Sequence, residues 1–451
     1  MVFKDREYYA TLLKIGLPIA VQNFISSSLN AAGVLMIGQL GETAVAAVGL
    51  ANQIFFLFNL MMFGITSGSA IFTAQFWGSG DVKGIRKVVG LCLGMALGAG
   101  TLFTLIALVF PRPALGLYTS DAGVIELGTQ YLVIVGVSYL ATGVSFTFGA
   151  HLRATGNVRA PMLVSVGALG LGTAINYLLI FGGLGLPAMG VRGAALGTCL
   201  ARLLECAAML AVTYLGRLPT ALHLADLRGL TRPFIRRFFV TVLPVFANET
   251  VWSIGVSIYS MVYAHIGTEA IAAYNITSTI EQMATVIFMG LSSASAIMIG
   301  NRIGSGEEHT AYQYARRSLV LGLILGVVTG VLLIVLSGPI IAYYKISEEA
   351  AFNARSILIV LGCALWMRVS NMTLIIGILR SGGDTRFSLA LDVGTVWLVG
   401  IPMALLGAFV FHLPVYWVFA MVLADDATKA AGGLYRFLSR KWINNLARTM
   451  V

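Results

Sequence analysis

The chain has 451 residues, of which 58% are hydrophobic and 11% are charged, and its mean hydropathy is +0.88. A soluble domain carries about 25% charged residues, so this composition cannot cover a water-exposed surface and indicates a protein of the lipid bilayer. The net charge is +10, but the basic residues stand at the ends of apolar runs, which argues against a nucleic-acid-binding face.

Apolar runs of about twenty residues or more follow one another between short polar breaks that contain Gly, Pro and charged residues. Their length and their lack of alternation favour helices over a β-barrel. We therefore predict an all-α integral membrane protein with about twelve transmembrane helices. In chain order, the predicted spans lie near residues 12–37, 43–76, 88–110, 123–149, 161–183, 191–215, 238–265, 270–300, 317–343, 350–378, 387–411 and 413–434.

The longest internal break, between Gly216 and Arg237, follows the sixth predicted span. We predict an N-terminal six-helix lobe at residues 1–216, a cytoplasmic linker at 217–237 and a C-terminal six-helix lobe at 238–451. Lys and Arg concentrate at one set of span ends. The excess of positive charge in cytoplasmic loops then places both termini in the cytoplasm of a multi-pass plasma-membrane protein.

The two predicted lobes repeat each other. Gly78-Ser79-Gly80 matches Gly304-Ser305-Gly306 at an offset of 226 residues, and Leu17-Pro18 matches Leu243-Pro244 at the same offset. With an equal number of spans per lobe, corresponding segments run in the same direction, so the repeat is parallel. Two such bundles can rock about a central cleft, which is the geometry of alternating-access carriers. An ancestral duplication without a mechanical role is the alternative.

Apart from Asp425 and Asp426 near the end of the last span, three carboxylates lie inside predicted spans of the second lobe: Glu249, Glu281 and Asp392. A charge at the bilayer centre costs about 2.5–3.5 kcal/mol on insertion scales, so such residues usually face a cavity or a partner. We predict that these acids, with Asn275 as a polar neighbour, bind a coupling proton or Na⁺, with Na⁺ at Glu249 and Asp392. The alternative for each is a buried acid that only fixes helix packing.

Other interior charges have simpler interpretations. Arg202 and Glu205 are spaced to share one helix face, which predicts an ion pair. Arg368 has no partner nearby in sequence and is a candidate to balance a carboxylate of the second lobe. Asp425 and Lys429 are spaced as an i,i+4 pair, and we predict that they lie at a solvated helix end.

Flexible methionines and aromatic rings can line a binding site for varied ligands. An alternative is that these side chains face lipid or the protein core. Neither an ATP-binding GxxxxGK[ST] motif nor an HExxH or GxSxG motif occurs, so the sequence predicts neither an enzyme nor a cofactor beyond the coupling ion. The candidate substrate-cleft residues are Asn23, Phe56, Met62, Met283, Met289 and Arg368.

Several segments spread over nearly the whole chain form a recognisable set: Leu17-Pro18, Met36-Ile37-Gly38-Gln39-Leu40-Gly41, Gly78-Ser79-Gly80, Leu152-Arg153-Ala154-Thr155-Gly156-Asn157, Asn176-Tyr177-Leu178-Leu179-Ile180-Phe181-Gly182 and Leu379-Arg380-Ser381-Gly382-Gly383-Asp384-Thr385-Arg386. Together they resemble the multidrug and toxic compound extrusion (MATE) transporters, and the placement of Asn248-Glu249 resembles a Firmicute-type branch. The resemblance implies two six-helix lobes that form a V and export organic, often cationic, drugs or metabolites against an inward flow of Na⁺ or H⁺.

The chain departs from the family pattern at the acids of the cation site. Gly33 stands where many members carry an Asp, and Val369 and Trp252 stand where one group carries acids in spans ten and seven. The family site is therefore not transferred whole. We expect a monomeric secondary antiporter of small organic compounds, with a flippase of a lipid-linked head group as the alternative. Such a flippase would line its cleft with more Arg or Lys.

Overall fold

The computed structural model describes residues 5–183 and 185–450, and helices account for most of them. In those residues, the only β-type pairing is an isolated bridge between Gly183 and Leu186. The predicted all-α class is therefore confirmed. The helices up to residue 215 are α1 (Arg6–Gly38), α2 (Glu42–Ser79), α3 (Val82–Val109), α4 (Pro111–Gly116), α5 (Ala122–Gly136), α6 (Tyr139–Ala154), α7 (Arg159–Phe181) and α8 (Gly190–Leu215).

The remaining helices include three short π-helical stretches, Thr373–Leu379, Val396–Gly400 and Leu406–Val410. Such stretches carry one extra residue per turn and often mark functional sites in helices. The α-helices of this part are α9 (Leu224–Leu227), α10 (Arg232–Ile266), α11 (Thr268–Gly304), α12 (Glu308–Ala342), α13 (Glu348–Met372), α14 (Thr385–Thr395), α15 (Ile401–Leu405), α16 (Val415–Leu438) and α17 (Leu446–Met450).

Within the described part of the chain, ten helical segments are long and apolar enough to cross a membrane. The pair α5 and α6, bent by 50° at its break, is an eleventh candidate span. The predicted twelfth span corresponds to α16, whose 24 residues are also long enough. It falls outside the apolar set because Asp425, Asp426 and Lys429 lie within its length.

The glycines of the repeated loops share one backbone conformation. Gly80 and Gly306 have φ angles of 76° and 85°, and Gly156 and Gly383 have φ angles of 82° and 80°. Glycine adopts this left-handed region without steric cost, and such a residue ends a helix by turning the chain away from its axis. After Gly80, the Asp81 carboxylate accepts a hydrogen bond from the Gly84 N–H at 2.9 Å and caps α3.

The predicted linker, residues 217–237, is partly helical. It contains the single turn α9, and α10 begins at Arg232, before the predicted start of the second lobe at residue 238. Pro233 lies in the first turn of α10, where its missing N–H costs nothing. The helix therefore begins in the basic segment that precedes the apolar run.

The chain divides into two compact units, one of residues 21–239 and one of residues 1–20 with residues 240–451. Polar contacts join the beginning of α1 to α11 and α12. The Tyr8 hydroxyl lies 2.7 Å from the Ser318 hydroxyl, and Arg302 forms a 3.0 Å ion pair with Glu7. These contacts hold the N-terminal end of α1 in the unit that contains the C-terminal half. The lobe boundaries at 216 and 238 stay a prediction.

In α12, small residues recur at the spacing that lets membrane helices pack closely. Gly322, Gly326 and Gly330 lie on one face, and a Cβ at Gly330 would stand 2.2 Å from the Gly362 carbonyl oxygen in α13. A Cβ at Gly326 would stand 2.6 Å from the Trp366 Cα. The two backbones are therefore in direct contact, as in other small-xxx-small interfaces of membrane helices.

We expect Gly330→Ala to destabilise the protein by about 1–3 kcal/mol, because the new methyl group forces α12 and α13 apart. Gly338→Ala on the same helix is the matched control, since its Cβ would meet only Arg355 Cζ at 3.9 Å. Thermal unfolding of both variants in detergent, followed by size-exclusion chromatography, measures the difference. An equal unfolding temperature for the two variants would contradict the close packing.

Candidate functional site: a polar cavity and a buried charge network

A cavity of 640 Å³ lies inside the unit of residues 21–239. This volume is within the range of about 300–1,000 Å³ that small-molecule sites occupy. Its walls mix apolar side chains with an unusual number of amides, which can both donate and accept hydrogen bonds. The amide residues that line it are Gln22, Asn23, Asn30, Asn52, Asn59 and Asn176.

One ion pair contributes to the cavity wall. Arg202 Nη1 lies 3.0 Å from Glu205 Oε2, and the Ser165 hydroxyl donates to Glu205 Oε1 at 2.7 Å. The Arg202 guanidinium also lies over the Phe55 ring, 5.5 Å from its centroid. The predicted pair of Arg202 and Glu205 is confirmed. Among the described lining residues, these two are the only charged ones, so the wall carries no net charge.

Gly33 lines the same cavity. A Cβ at this position would meet no atom within 4 Å, so the residue borders open space. Asn176 also lines the cavity, and its Nδ2 donates to the Thr198 hydroxyl at 3.5 Å. Asn176 Oδ1 is buried and has no hydrogen-bond partner within the described residues. At Gly33 the cavity therefore has open space where the family resemblance predicted an Asp.

The candidate cleft residues lie in different places. Asn23 lines the cavity. Met62 is fully buried, whereas Phe56 and Met283 are 56% and 69% exposed, and Met289 is half-buried. Because helical residues rotate by about 100° per position, neighbours of a lining residue point elsewhere.

Six residues of α2 line the cavity, and Asn52, Phe55 and Asn59 are three of them; the others are Val45, Val48 and Gly49. They follow a spacing of three and four residues, which places them on one helix face. Sequence reasoning singled out the aromatic and methionine residues of this span and missed its amides. Two asparagines on one face of an apolar span were the signal that would have found the wall.

The other unit contains a network of buried charges, and each of the three predicted carboxylates belongs to it. Glu249 Oε1 of α10 lies 2.8 Å from Nη1 of Arg380, which follows the first π-helical stretch. Glu249 is 9% exposed and Arg380 is 3% exposed. Burial removes both groups from water, so each depends on the other for compensation of its charge.

Asp392 is held by a lysine and an amide. Lys429 Nζ of α16 lies 3.0 Å from Asp392 Oδ1 and 3.2 Å from Asp425 Oδ2. The Asn248 amide donates to Asp392 Oδ2 at 2.8 Å. Our prediction that Asp425 and Lys429 lie at a solvated helix end is wrong, since they are 4% and 6% exposed. Lys429 points into the protein because it pairs with Asp392 of α14. Spacing along α16 does not reveal this partner, since it lies on another helix.

Arg368 of α13 pairs with Glu281 of α11 and, at 2.9 Å from Nε, with Asp426 of α16. The proposal that Arg368 balances a carboxylate of the second lobe is thus supported by its contacts. Asn371 adds to this group by donating to the Asp426 carbonyl at 2.8 Å and to its carboxylate at 3.3 Å. Asn275 is exposed, and its backbone carbonyl accepts a bond from Ser278.

These three groups of contacts are joined by residues that are neighbours in the sequence. Asn248 precedes Glu249, and Asp425 precedes Asp426. The network therefore runs from the Arg380–Glu249 pair through Asp392 and Lys429 to the Arg368 cluster. Each predicted carboxylate lies against a different cation, so an ion that binds one of them competes with a side chain of the protein.

A duplicated helical membrane protein with a polar internal cavity and a separate buried charge network belongs to the class of polytopic solute transporters. The MatE family model matches residues 18–178 and, a second time, residues 244–406. The chain therefore belongs to the multidrug and toxic compound extrusion family. The two matches also coincide with the repeat that the sequence revealed.

Individual relatives match over nearly the full length. An uncharacterized transporter, YisQ, from Bacillus subtilis is 26% identical over 96% of this chain and 95% of its own. A probable multidrug resistance protein, NorM, from Thermotoga maritima is 25% identical over 96% of this chain and 92% of its own. The Bacillus protein is named as a transporter, and the Thermotoga protein as a multidrug resistance protein.

Solved structures share the fold. A MATE transporter crystallised in a bent conformation superposes with a TM-score of 0.87 at 18% identity, over 96% of both chains. A transporter of the MOP superfamily from Pyrococcus furiosus, described as having a binding pocket of reverse polarity, gives a TM-score of 0.85 at 19% identity and the same coverage. The predicted membrane-transporter fold is confirmed.

Proposed function

We propose that this protein is a secondary active antiporter that exports organic, often cationic, drugs or metabolites by alternating access, driven by inward Na⁺ or H⁺. The observation that carries the proposal is the 640 Å³ polar cavity within the first half of a duplicated helical transporter. Relatives named as multidrug resistance proteins support the substrate class. The multi-pass helices support a place in the plasma membrane, and we propose cytoplasmic termini and a monomer.

The cavity suits ligands that combine an apolar body with polar groups. Amides can turn either their N–H or their C=O toward a ligand, so they tolerate varied hydrogen-bonding patterns. The Phe55 ring supplies an aromatic surface, and Glu205 balances the charge of Arg202, so the wall does not repel a cationic ligand. These features favour small organic compounds of moderate polarity, with Asn23 among the contacting residues.

On the coupling side, we propose that Glu249, Glu281 and Asp392 bind the driving ion. Glu249 and Asp392 are buried and Glu281 is partly buried. This supports the role, because an ion that neutralises a carboxylate inside the protein changes the free energy of the surrounding helices. We retain Asn275 as a polar neighbour and Na⁺ at Glu249 and Asp392 as one form of the proposal. Proton binding at the same carboxylates is the other form.

Purified protein in proteoliposomes should accumulate or expel a fluorescent organic cation such as ethidium when a pH gradient or a Na⁺ gradient is imposed. We expect transport with at least one gradient and none when neither is present, because the carrier has no other energy source. Each gradient is imposed separately, and liposomes without protein are the control. Equal ethidium movement in the presence and absence of both gradients would contradict antiport.

The alternative, a flippase of a lipid-linked head group, predicts a different cavity. A head group with phosphate charges requires an excess of Arg or Lys, but Arg202 is balanced by Glu205 in the described wall. The cavity therefore favours the antiporter. Movement of a fluorescent lipid-linked head group across the same proteoliposomes, without any movement of organic cations, would reverse this choice.

A further inference from the structure

We propose that Lys429 is a tethered cation that occupies the coupling site between Asp392 and Asp425, and that it makes this transporter select protons over Na⁺. The proposal rests on the ion-coupled antiport proposed above and specifies its ion. Lys429 Nζ lies 3.0 Å from Asp392 Oδ1 and 3.2 Å from Asp425 Oδ2, in a buried position between α14 and α16. An ammonium between two carboxylates fills the place that a bound metal cation would take.

Both carboxylate oxygens of Asp392 already have a partner, so neither is free to bind Na⁺. Oδ1 faces Lys429, and Oδ2 accepts a hydrogen bond from the Asn248 amide at 2.8 Å. Hard cations are held by several oxygen ligands at once, and like charges repel strongly in a buried site. A Na⁺ at Asp392 would therefore have to displace both partners or stand directly beside the ammonium.

A proton needs only one free acceptor, and Asp425 provides it. Asp425 Oδ1 is buried and has no hydrogen-bond partner within the described residues. Lys429 and the Tyr259 hydroxyl approach the other oxygen, Oδ2, at 3.2 Å and 3.5 Å. The Thr395 hydroxyl lies near Asp425 and donates to the Leu391 carbonyl at 2.9 Å. A proton on Oδ1 would turn this acceptor into a donor.

The network as a whole holds more carboxylates than cations, although Arg380 Nε is a buried donor without a hydrogen-bond partner in the described residues. Asn248 Oδ1 and Asn371 Oδ1 are further buried acceptors without a partner in the described structure. Buried polar atoms normally have a partner, so such acceptors indicate a place for added donors. Five carboxylates of the network, Glu249, Glu281, Asp392, Asp425 and Asp426, face three cations, Arg368, Arg380 and Lys429, which leaves two negative charges for protons to neutralise.

The surroundings of Lys429 agree with this role. Asp392 approaches from α14, and Asp425 and Asp426 belong to its own helix. The next residues outward do not contact Lys429 but contact its neighbours. The Tyr259 hydroxyl of α10 approaches Asp425, and Arg368 pairs with both Asp426 and Glu281 of α11. Protonation of Asp425 would remove its negative charge and weaken its attraction for the Lys429 ammonium. Lys429 would then pair mainly with Asp392. The lysine can thus transmit the arrival of a proton from α16 to α14.

The test compares Na⁺ binding by the wild type, K429Q and K429R, measured as the unfolding temperature of purified protein in NaCl against choline chloride. We expect a shift of less than about 1 °C for the wild type and K429R, because a side-chain cation remains in the site. K429Q should gain several degrees in Na⁺, because the vacated carboxylates can then bind it. A Na⁺-dependent shift in the wild type, or none in folded K429Q, would overturn the proposal.

Transport assays separate this proposal from the function on which it rests. The wild type should export ethidium under a pH gradient at the same rate in Na⁺ and in choline. Wild-type transport that only a Na⁺ gradient drives would refute the role of Lys429 and leave antiport standing, whereas transport with neither gradient would count against antiport itself. If K429Q does not fold, the two wild-type measurements decide the question alone.

Discussion

Glu249→Gln should abolish export of organic cations while the protein remains folded in the membrane. The substitution keeps the shape of the side chain but removes the charge that a coupling proton or Na⁺ would neutralise. It also leaves Arg380, 3% exposed, without a counter-ion. Loss of one partner of a buried ion pair costs about 3–5 kcal/mol, so we expect a lower unfolding temperature as well. Gradient-driven ethidium transport in proteoliposomes, with the unfolding temperature of the same preparation, measures both effects.

Two further variants separate coupling from stability. Glu269→Gln, at an exposed acid in the first turn of α11, is the matched control and should transport normally. The double variant E249Q/R380Q removes both charges of the pair, so it should regain stability without regaining transport. If the double variant transports at the wild-type rate, Glu249 serves only to neutralise Arg380, and its role in coupling is refuted.

Glu205→Gln should weaken binding of organic cations by at least about tenfold, because the cavity wall then carries the uncompensated charge of Arg202. Two charges 4 Å apart interact by about 4 kcal/mol at an effective dielectric constant near 20, and water in the cavity reduces this. A tenfold change corresponds to only about 1.4 kcal/mol. Equilibrium binding of ethidium, measured by fluorescence with purified protein, gives the dissociation constant directly.

The double variant R202Q/E205Q restores a neutral wall and should recover most of the lost affinity. An exposed ion pair of the same unit is the control: Arg112 and Glu126 are 2.6 Å apart, with side chains 68% and 52% exposed. Exposed pairs contribute about 0–1 kcal/mol, so Glu126→Gln should leave ethidium binding unchanged. Wild-type affinity in Glu205→Gln would show that the cation binds elsewhere in the protein.

Local sequence patterns determined the helices and the duplication. The long apolar runs predicted every long helix, since a span must satisfy its backbone hydrogen bonds within itself. The span predicted at 123–149 differs from the others, because the structure breaks it into two helices, α5 and α6. The repeated Gly80 and Gly306 were visible as a motif, and their shared left-handed conformation explains why the motif recurs. The spacing of Arg202 and Glu205 sufficed for their ion pair.

Contacts between helices were decided only by the tertiary structure. Asp392 and Lys429 are on α14 and α16, and Glu249 and Arg380 are separated by three helices in the chain. Spacing along one helix shows which side chains share a face, but the rotation and tilt of each helix decide which faces meet. For the same reason, the sequence correctly placed Asp425 and Lys429 on one helix face but wrongly predicted that this face meets solvent. It meets Asp392 of another helix instead.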